Sequence, residues 1–260
     1  MAPIAMILAA GVGSRLQPLT DKTPKALLHF RTKTMLEHVI EKLKLHGITE
    51  VVINIHHHAE QIVEFVRKHD DFGINISFSD EQEQLMDTGG AIVKARELLE
   101  GRGPFLVHNV DIFTDLDLNA LYHSHMEGRA LATLAVRERE TSRNLLVDRS
   151  GRLCGWRDNK SGKTVMVEGW KNRFGFMDGH PESGMLDDAL TETDPKPVAF
   201  SGIHVIAPEI FEMLDSKEPF SIIEAYLDMA GGHKIVTYDH SSGHWFDMAR
   251  KENFPGLIGT

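Results

Sequence analysis

Residues 4–28, IAMILAAGVGSRLQPLTDKTPKALL, decide how the rest of the chain is read. Ile4 to Leu8 form a short apolar run closed by two alanines, which predicts a buried strand feeding a glycine loop. The loop is not a P-loop, because the G-x-x-x-x-G-K-[ST] spacing is missing, and it is not a dinucleotide fingerprint, because Leu16 stands where the third glycine belongs. It offers Gly11 and Gly13, whose backbone can turn N–H groups toward an oxyanion, with Arg15 as a forked cation and Lys25 as a point charge ten residues later. Pro18 and Pro24 stiffen the path between them. Two cations aimed at one place suit a triphosphate.

Outward from this loop, strands and helices alternate. Helical spacing of Met35, Leu36, Val39, Ile40 and Leu43, with Gly47 beyond, predicts a helix over 35–45. Strands follow at 51–55, 74–78 and 105–107, and helices at 59–68, 90–99 and 118–126. That alternation means crossover units and a mostly parallel sheet flanked by helices, an α/β class. After a strand at 130–136 the texture changes to a hairpin over 144–156 that turns at Arg149-Ser150-Gly151, then an irregular insertion over 157–197. A strand at 198–206, helices at 208–214 and 221–230, a strand at 234–238 and a last helix after Asp247 complete the expectation of one domain over 1–260.

The bulk numbers exclude several classes. A formal net charge of −10 argues against nucleic-acid binding through a basic face, so any polyanion must be held by local groups. No apolar run approaches the roughly 18 residues that a membrane span needs, and the first residues lack a basic leader, so neither a membrane nor a secretory signal is expected. A single cysteine, Cys154, leaves no internal disulfide and suits the cytoplasm.

The string L-A-A-G-x-G-S-R-L-x-P-L-T-x-x-x-P-K resembles the signature of the sugar-1-phosphate nucleotidyltransferases. Leu85 to Ala91 (LMDTGGA) is similar to that family's second glycine turn, 105–111 (FLVHNVD) to its strand ending in a metal-binding Asp, 200–203 (FSGI) to its sugar-side strand, and 244–247 (HWFD) to the W-x-D of a second metal ligand. Within the family the short N-acetylmuramate 1-phosphate uridylyltransferases look most similar, then the mannose-1-phosphate guanylyltransferases. The resemblance implies a Rossmann-like (GT-A-like) fold and an NTP and a sugar 1-phosphate as partners, in cell-wall recycling or glycan precursor supply, by a monomer or homodimer. It implies Mg²⁺ on Asp111 and Asp247, with Arg15, Lys25 and Asp111 catalytic. Leu8, Ala10, Gly11, Gly13, Ser14, Arg15, Lys25, Thr88, Gly89 and Gly90 would bind nucleotide, and Asn109, Ser201 and Gly202 the sugar phosphate.

Departures raise a rival reading. Val110 stands where relatives often carry Gly, where its side chain would narrow the space beside the metal, and Met248-Ala249-Arg250 replaces a glycine turn after Asp247. Both would fit a catalytically silent nucleotide-sugar binder. A transferase acting on a non-sugar phosphate, with CTP as donor, is a further possibility. Glu83 is read either as a guanine contact or as a solvated charge in the acidic run 80–83. His56-His57-His58 points in three directions, so it predicts ligand contact at a strand's carboxyl end rather than a metal site.

Overall fold

The computed structural model describes residues 3–81, 83–170, 195–214 and 218–254. In chain order these form β1 (Ile4–Leu8), β2 (His29–Phe30), β3 (Lys33–Thr34), α1 (Met35–Leu45), β4 (Glu50–Ile55), α2 (Ala59–Lys68), β5 (Asn75–Asp80), α3 (Asp87–Lys94), α4 (Arg96–Leu99), β6 (Phe105–Asn109), β7 (Ile112–Thr114) and α5 (Leu118–Gly128). Then come β8 (Ala132–Arg137), β9 (Arg143–Val147), β10 (Leu153–Asp158), β11 (Thr164–Met166), β12 (Lys196–Ile206), α6 (Ile222–Met229), β13 (Ile235–Asp239) and β14 (Trp245–Asp247).

Ten strands make one mixed sheet in the order β11-β10-β9-β12-β6-β1-β4-β5, with β8 also paired to β12 and β13 paired to the far side of β8. The half around β1 is parallel, β6, β1, β4 and β5 running together, whereas β12, β9, β10 and β11 pair antiparallel. β1 is a continuous apolar run because both its faces are covered. Ala5 and Ile7 face one core with α1 and α2; Ile4 and Met6 face the other with α3 and α6. α1 starts where its sequence says: Thr34 Oγ1 accepts from the Glu37 N–H at 3.1 Å, and Glu37 Oε2 accepts from the Thr34 N–H at 2.7 Å.

Several boundaries differ from expectation. The helix expected over 90–99 begins at Asp87 and breaks at Ala95, leaving Arg96–Leu99 as a separate turn. The segment at 208–214 is a 3-10 turn, Pro208–Glu212, and beyond Asp247 only a 3-10 turn, Lys251–Asn253, follows among the described residues. The insertion is ordered at its edges, since β11 extends the hairpin sheet and β12 starts at Lys196; residues 171–194 lie outside the described ones. β7 and β14 form a two-stranded ribbon that the sequence did not announce.

Candidate active site

The first loop leaves β1 under tight control. Leu8 ends the strand and its carbonyl accepts from the Val110 N–H at 3.1 Å. The N–H groups of Ala9 and Ala10 both donate to Asn54 Oδ1, at 2.6 and 3.3 Å. From Gly11 to Ser14 the backbone N–H groups have no protein acceptor among the described residues. Gly13 adopts φ 71°, and a Cβ there would lie 2.8 Å from Thr20 Cγ2, so both conformation and space require glycine. Thr20 Oγ1 donates to the Gly13 carbonyl at 3.1 Å. The His triplet serves this loop and does not converge. His57 Nε2 and His58 Nε2 donate to the carbonyls of Thr20 and Asp21, and His56 Nδ1 donates to that of Glu81.

Two carboxylates meet this loop from the far side. Asp111 lies just past β6, and its carbonyl accepts from the Met248 N–H at 2.7 Å; Ile112 pairs with Asp247 across the β7–β14 ribbon. Lys25 Nζ donates to Asp111 Oδ2 at 2.8 Å, both side chains being nearly buried. Arg15 Nη1 lies 3.5 Å from Asp247 Oδ2 with its side chain 66% exposed, open to an incoming ligand. Burial pushes the Asp111 carboxyl up, but the Lys25 ammonium and the Arg15 guanidinium outweigh it and hold the group below the usual carboxylate range. Hard oxygen donors from the turn after β6 and from β14 suit Mg²⁺ by type, although among the described residues no group of three or more His, Cys, Asp or Glu is placed to hold a metal.

The departures beside these carboxylates resolve without crowding. Val110 does not narrow the site: its side chain is buried in the α1–α2 core. After Asp247 the chain turns on the carboxylate itself, Asp247 Oδ1 accepting from the Ala249 N–H at 3.0 Å, which replaces the glycine turn by a side-chain turn.

The second glycine turn is joined to the first loop by a buried pair. Asn54 Nδ2 donates to Glu81 Oε1 at 2.7 Å, and Glu81 Oε2 accepts from the Met86 N–H at 3.1 Å. Glu81 is fully buried, and that burial raises its carboxyl above the usual range despite those donors. Glu83 is exposed. Gly89 and Gly90 are buried and make room for packing: a Cβ on Gly89 would lie 2.2 Å from the Phe220 ring, and the Gly89 N–H already donates to the Phe220 carbonyl at 2.8 Å. Thr88 Oγ1 accepts from the Ile222 N–H at 3.0 Å and so ties α3 to the start of α6.

A cleft of about 660 Å³ opens beside Leu8, Thr88 and Asn109 and runs toward Arg139, Trp156 and Phe200. β12 is irregular between Phe200 and His204, where Gly202 takes φ 77° and lies against Asn109, a Cβ there falling 2.9 Å from Asn109 Nδ2. Ser201 is fully buried; its hydroxyl hydrogen-bonds His240 Nε2 at 2.7 Å and its carbonyl accepts from Trp245 Nε1 at 3.0 Å. It holds the strand from behind the cleft wall. Arg139 stacks its guanidinium 4.2 Å from the Trp245 ring centroid and donates to the Phe200 carbonyl at 3.1 Å. Asn54, Glu81 and Arg139 are absent from the sequence-based list. Asn54, a polar residue between Ile53 and Ile55 in a buried strand, was the one legible signal.

Among the described residues no helix is long and apolar enough to cross a membrane. The family profile described as Nucleotidyl transferase matches residues 4–145. The chain is 26% identical over 264 residues to a mannose-1-phosphate guanyltransferase of Schizosaccharomyces pombe, covering 98% of this chain and 63% of that protein. It is 27% identical over 238 residues to an N-acetylmuramate alpha-1-phosphate uridylyltransferase of Caulobacter vibrioides, covering 89% of this chain and 86% of the relative. Its fold superposes on HddC from Yersinia pseudotuberculosis complexed with GMP-PN with a TM-score of 0.71 at 19% identity, over 98% of this chain and 97% of the other. The chain thus spans about 63% of the length of the guanyltransferase it matches.

Proposed function

The chain belongs to the nucleotidyl transferase family, and from that premise we propose that it joins a nucleoside triphosphate to a sugar 1-phosphate, releasing pyrophosphate. The pair is UTP with N-acetylmuramate 1-phosphate or a related hexose 1-phosphate, in the cytoplasm, in cell-wall recycling, by a monomer or homodimer. The observation that carries this reading is the run of unclaimed N–H groups from Gly11 to Ser14, flanked by Arg15 and by the Lys25–Asp111 pair. Backbone donors without acceptors beside two cations form a cradle for several phosphate oxygens.

Within that cradle Arg15 holds the departing β- and γ-phosphates, and Lys25 the α-phosphate or the attacking phosphate. A phosphate oxygen of the sugar attacks the α-phosphorus in line; a new P–O bond forms as the bond from the α-phosphorus to the bridging oxygen breaks, and pyrophosphate leaves with that electron pair. The attacking group is already an anion at neutral pH, so no general base is required. Positioning and charge neutralisation supply the barrier lowering. Asp111 and Asp247 would hold Mg²⁺, which supplies positive charge to the phosphates when bound. Thr88 and the turn before α3 lie where the cleft can take the base and ribose.

The similarity to the Schizosaccharomyces pombe enzyme, over 98% of this chain, supports GTP with mannose 1-phosphate as the second reading. One experiment tests both. Pyrophosphate release is followed with the purified chain and Mg²⁺ while the four common NTPs are crossed with N-acetylmuramate, N-acetylglucosamine, glucose and mannose 1-phosphates. The expected result is turnover in the UTP–N-acetylmuramate 1-phosphate cell, lowered about 100-fold or more in Asp111→Asn. Nucleotide binding with silence across the grid would favour the catalytically silent binder, and full activity in Asp111→Asn would overturn the role given to Asp111.

A further inference from the structure

Among the described residues the main sheet has one long edge that nothing covers. β11, at one end, is three residues long and follows Lys163, both of which discourage pairing with another chain. β13 is sealed by the hairpin turn, since the Thr237 N–H donates to the Gly151 carbonyl at 2.8 Å and Arg152 bridges Val236. β5 has neither defence. It runs six residues, Asn75–Asp80, in unbroken register, without lysine, arginine or proline, and pairs with β4 alone among the described residues. The N–H groups of Asn75 and Glu81 donate toward β4, to the carbonyls of Thr49 and Ile55 at 2.9 and 2.8 Å. Alternation along the strand therefore turns the N–H and C=O groups of Ile76 and Phe78 outward. Their side chains are only half-buried against the α2 core, so the edge offers apolar surface together with its backbone groups.

The helix above this edge says what kind of strand fits it. On one flank of α2 the Phe65 and His69 rings pack with Phe72, whose carbonyl accepts from the Lys44 ammonium of α1. The other flank, with exposed Glu60, Glu64 and Arg67, lines with Val63 and Asp80 a groove of about 520 Å³. Its charges are ordered, acid in the first turn and base in the last. Glu64 and Lys68 bridge each other at 2.8 Å, which leaves Glu60 and Arg67 without an ionic partner among the described residues. Those two stand seven residues, about 10 Å, apart along the axis and do not meet within the chain.

We propose that a second copy of this chain docks here, β5 on β5 and α2 beside α2, carrying the sheet unbroken through a two-fold dimer. α2 is the crossover between two parallel strands and so runs antiparallel to β5. A two-fold axis beside Ser77 then sets Ile76 opposite the partner subunit's Phe78, where their outward N–H and C=O groups pair. The same axis lays the two α2 helices antiparallel, so that Glu60 meets the partner subunit's Arg67 and Arg67 the partner subunit's Glu60. The flank is complementary to itself only in this orientation; a parallel neighbour would set acid against acid. The cleft lies across β1, on the β12 side of the sheet, so both copies keep it open. This surface does not depend on the transfer reaction proposed above.

Sedimentation velocity of the full chain over about 1–200 µM is the test, a small interface of this kind being expected to dissociate near about 10 µM. Glu60→Lys and Arg67→Glu, both at exposed positions, should each weaken the dimer about ten-fold, because each sets like charges together at two symmetric places. The double variant restores opposite charges across the axis and should return to within about three-fold of wild type, a rescue that no contact within one chain can give. Ser77→Lys, at an exposed position on the axis, opposes two ammonium groups and should leave monomer, with circular dichroism unchanged. In the wild type, amide exchange at Ile76 and Phe78 should slow as concentration rises. A wild type that is monomeric throughout overturns the inference. So does a dimer that survives Ser77→Lys, or one that the single charge reversals weaken and the double variant does not restore.

Discussion

Asn54→Ala removes one side chain from between two functional turns. Its amide satisfies the N–H groups of Ala9 and Ala10 and donates to Glu81, all in a buried setting. The variant orphans three buried polar groups at once. At the low end of about 1 kcal/mol each, the loss is about 3 kcal/mol, a sizeable share of the ~5–15 kcal/mol that holds a domain folded. Urea unfolding at pH 7 reads this directly: with an m-value of about 3 kcal/mol per molar, the midpoint falls by about 1 M. Calorimetry with UTP should show weaker binding as well, because the loop that follows Ala10 loses its anchor. Asn54→Asp is the diagnostic partner. It keeps an acceptor for both N–H groups but sets a carboxylate against the Glu81 carboxyl, whose titration burial shifts upward, so its deficit should grow as pH rises through the raised range of Glu81. A midpoint within about 0.3 M of wild type for Asn54→Ala, with unchanged nucleotide affinity, would refute the reasoning.

Two further perturbations probe packing and protonation. Gly89→Ala puts a methyl group into the Phe220 ring and should cost about 1–3 kcal/mol, recovered in part by Phe220→Leu; thermal melts of the two single variants and the double would show it, and additive losses would contradict the contact. Burial pushes the imidazoles of His108 and His125 down to about 4 and that of His204 to about 3. Below about pH 6.5 the unfolded chain takes up protons that these folded rings refuse, so stability falls as pH falls, by up to about 2 kcal/mol per ring at pH 5. Urea midpoints at pH 7.5 and 5 measure the loss, and equal midpoints would show that the rings are not held neutral.

Legibility followed the strength of local pattern. Ile4–Leu8, Met35–Leu45 and Ala59–Lys68 match their sequence reading residue for residue, because apolar spacing, a capping box and flanking turn residues agree there. β7 and β14 carry three residues each, too few for any alternation to register, and they pair across a gap in sequence that local pattern cannot bridge. The loop cations and the two aspartates were visible as a motif, and the structure joins them as pairs. Gly89 and Gly90 were read as room for a ligand, and the structure fills the space at Gly89 with Phe220. Glu81 could not be singled out within Asp80 to Glu83, since only burial distinguishes it from its exposed neighbour Glu83. Arg139 gains its place from Trp245, more than a hundred residues away in sequence.

The β7–β14 ribbon gives the two aspartates unequal footing. Asp111 extends a strand embedded in the middle of the main sheet, whereas Asp247 sits on a three-residue strand whose one partner is another three-residue strand. Thr114 Oγ1, donating to the His244 carbonyl 130 residues away, is one of the few ties at its mouth. Two-stranded ribbons are marginal by themselves, and such elements open at free energies far below that of the whole domain. Amide exchange should therefore be faster at Phe246 and Asp247 than at Val107 and His108. On the reading proposed above, Asp111 is the fixed post and Asp247 the hinged one, so the pair that meets the phosphates is expected to loosen at Asp247 first while the main sheet stays closed.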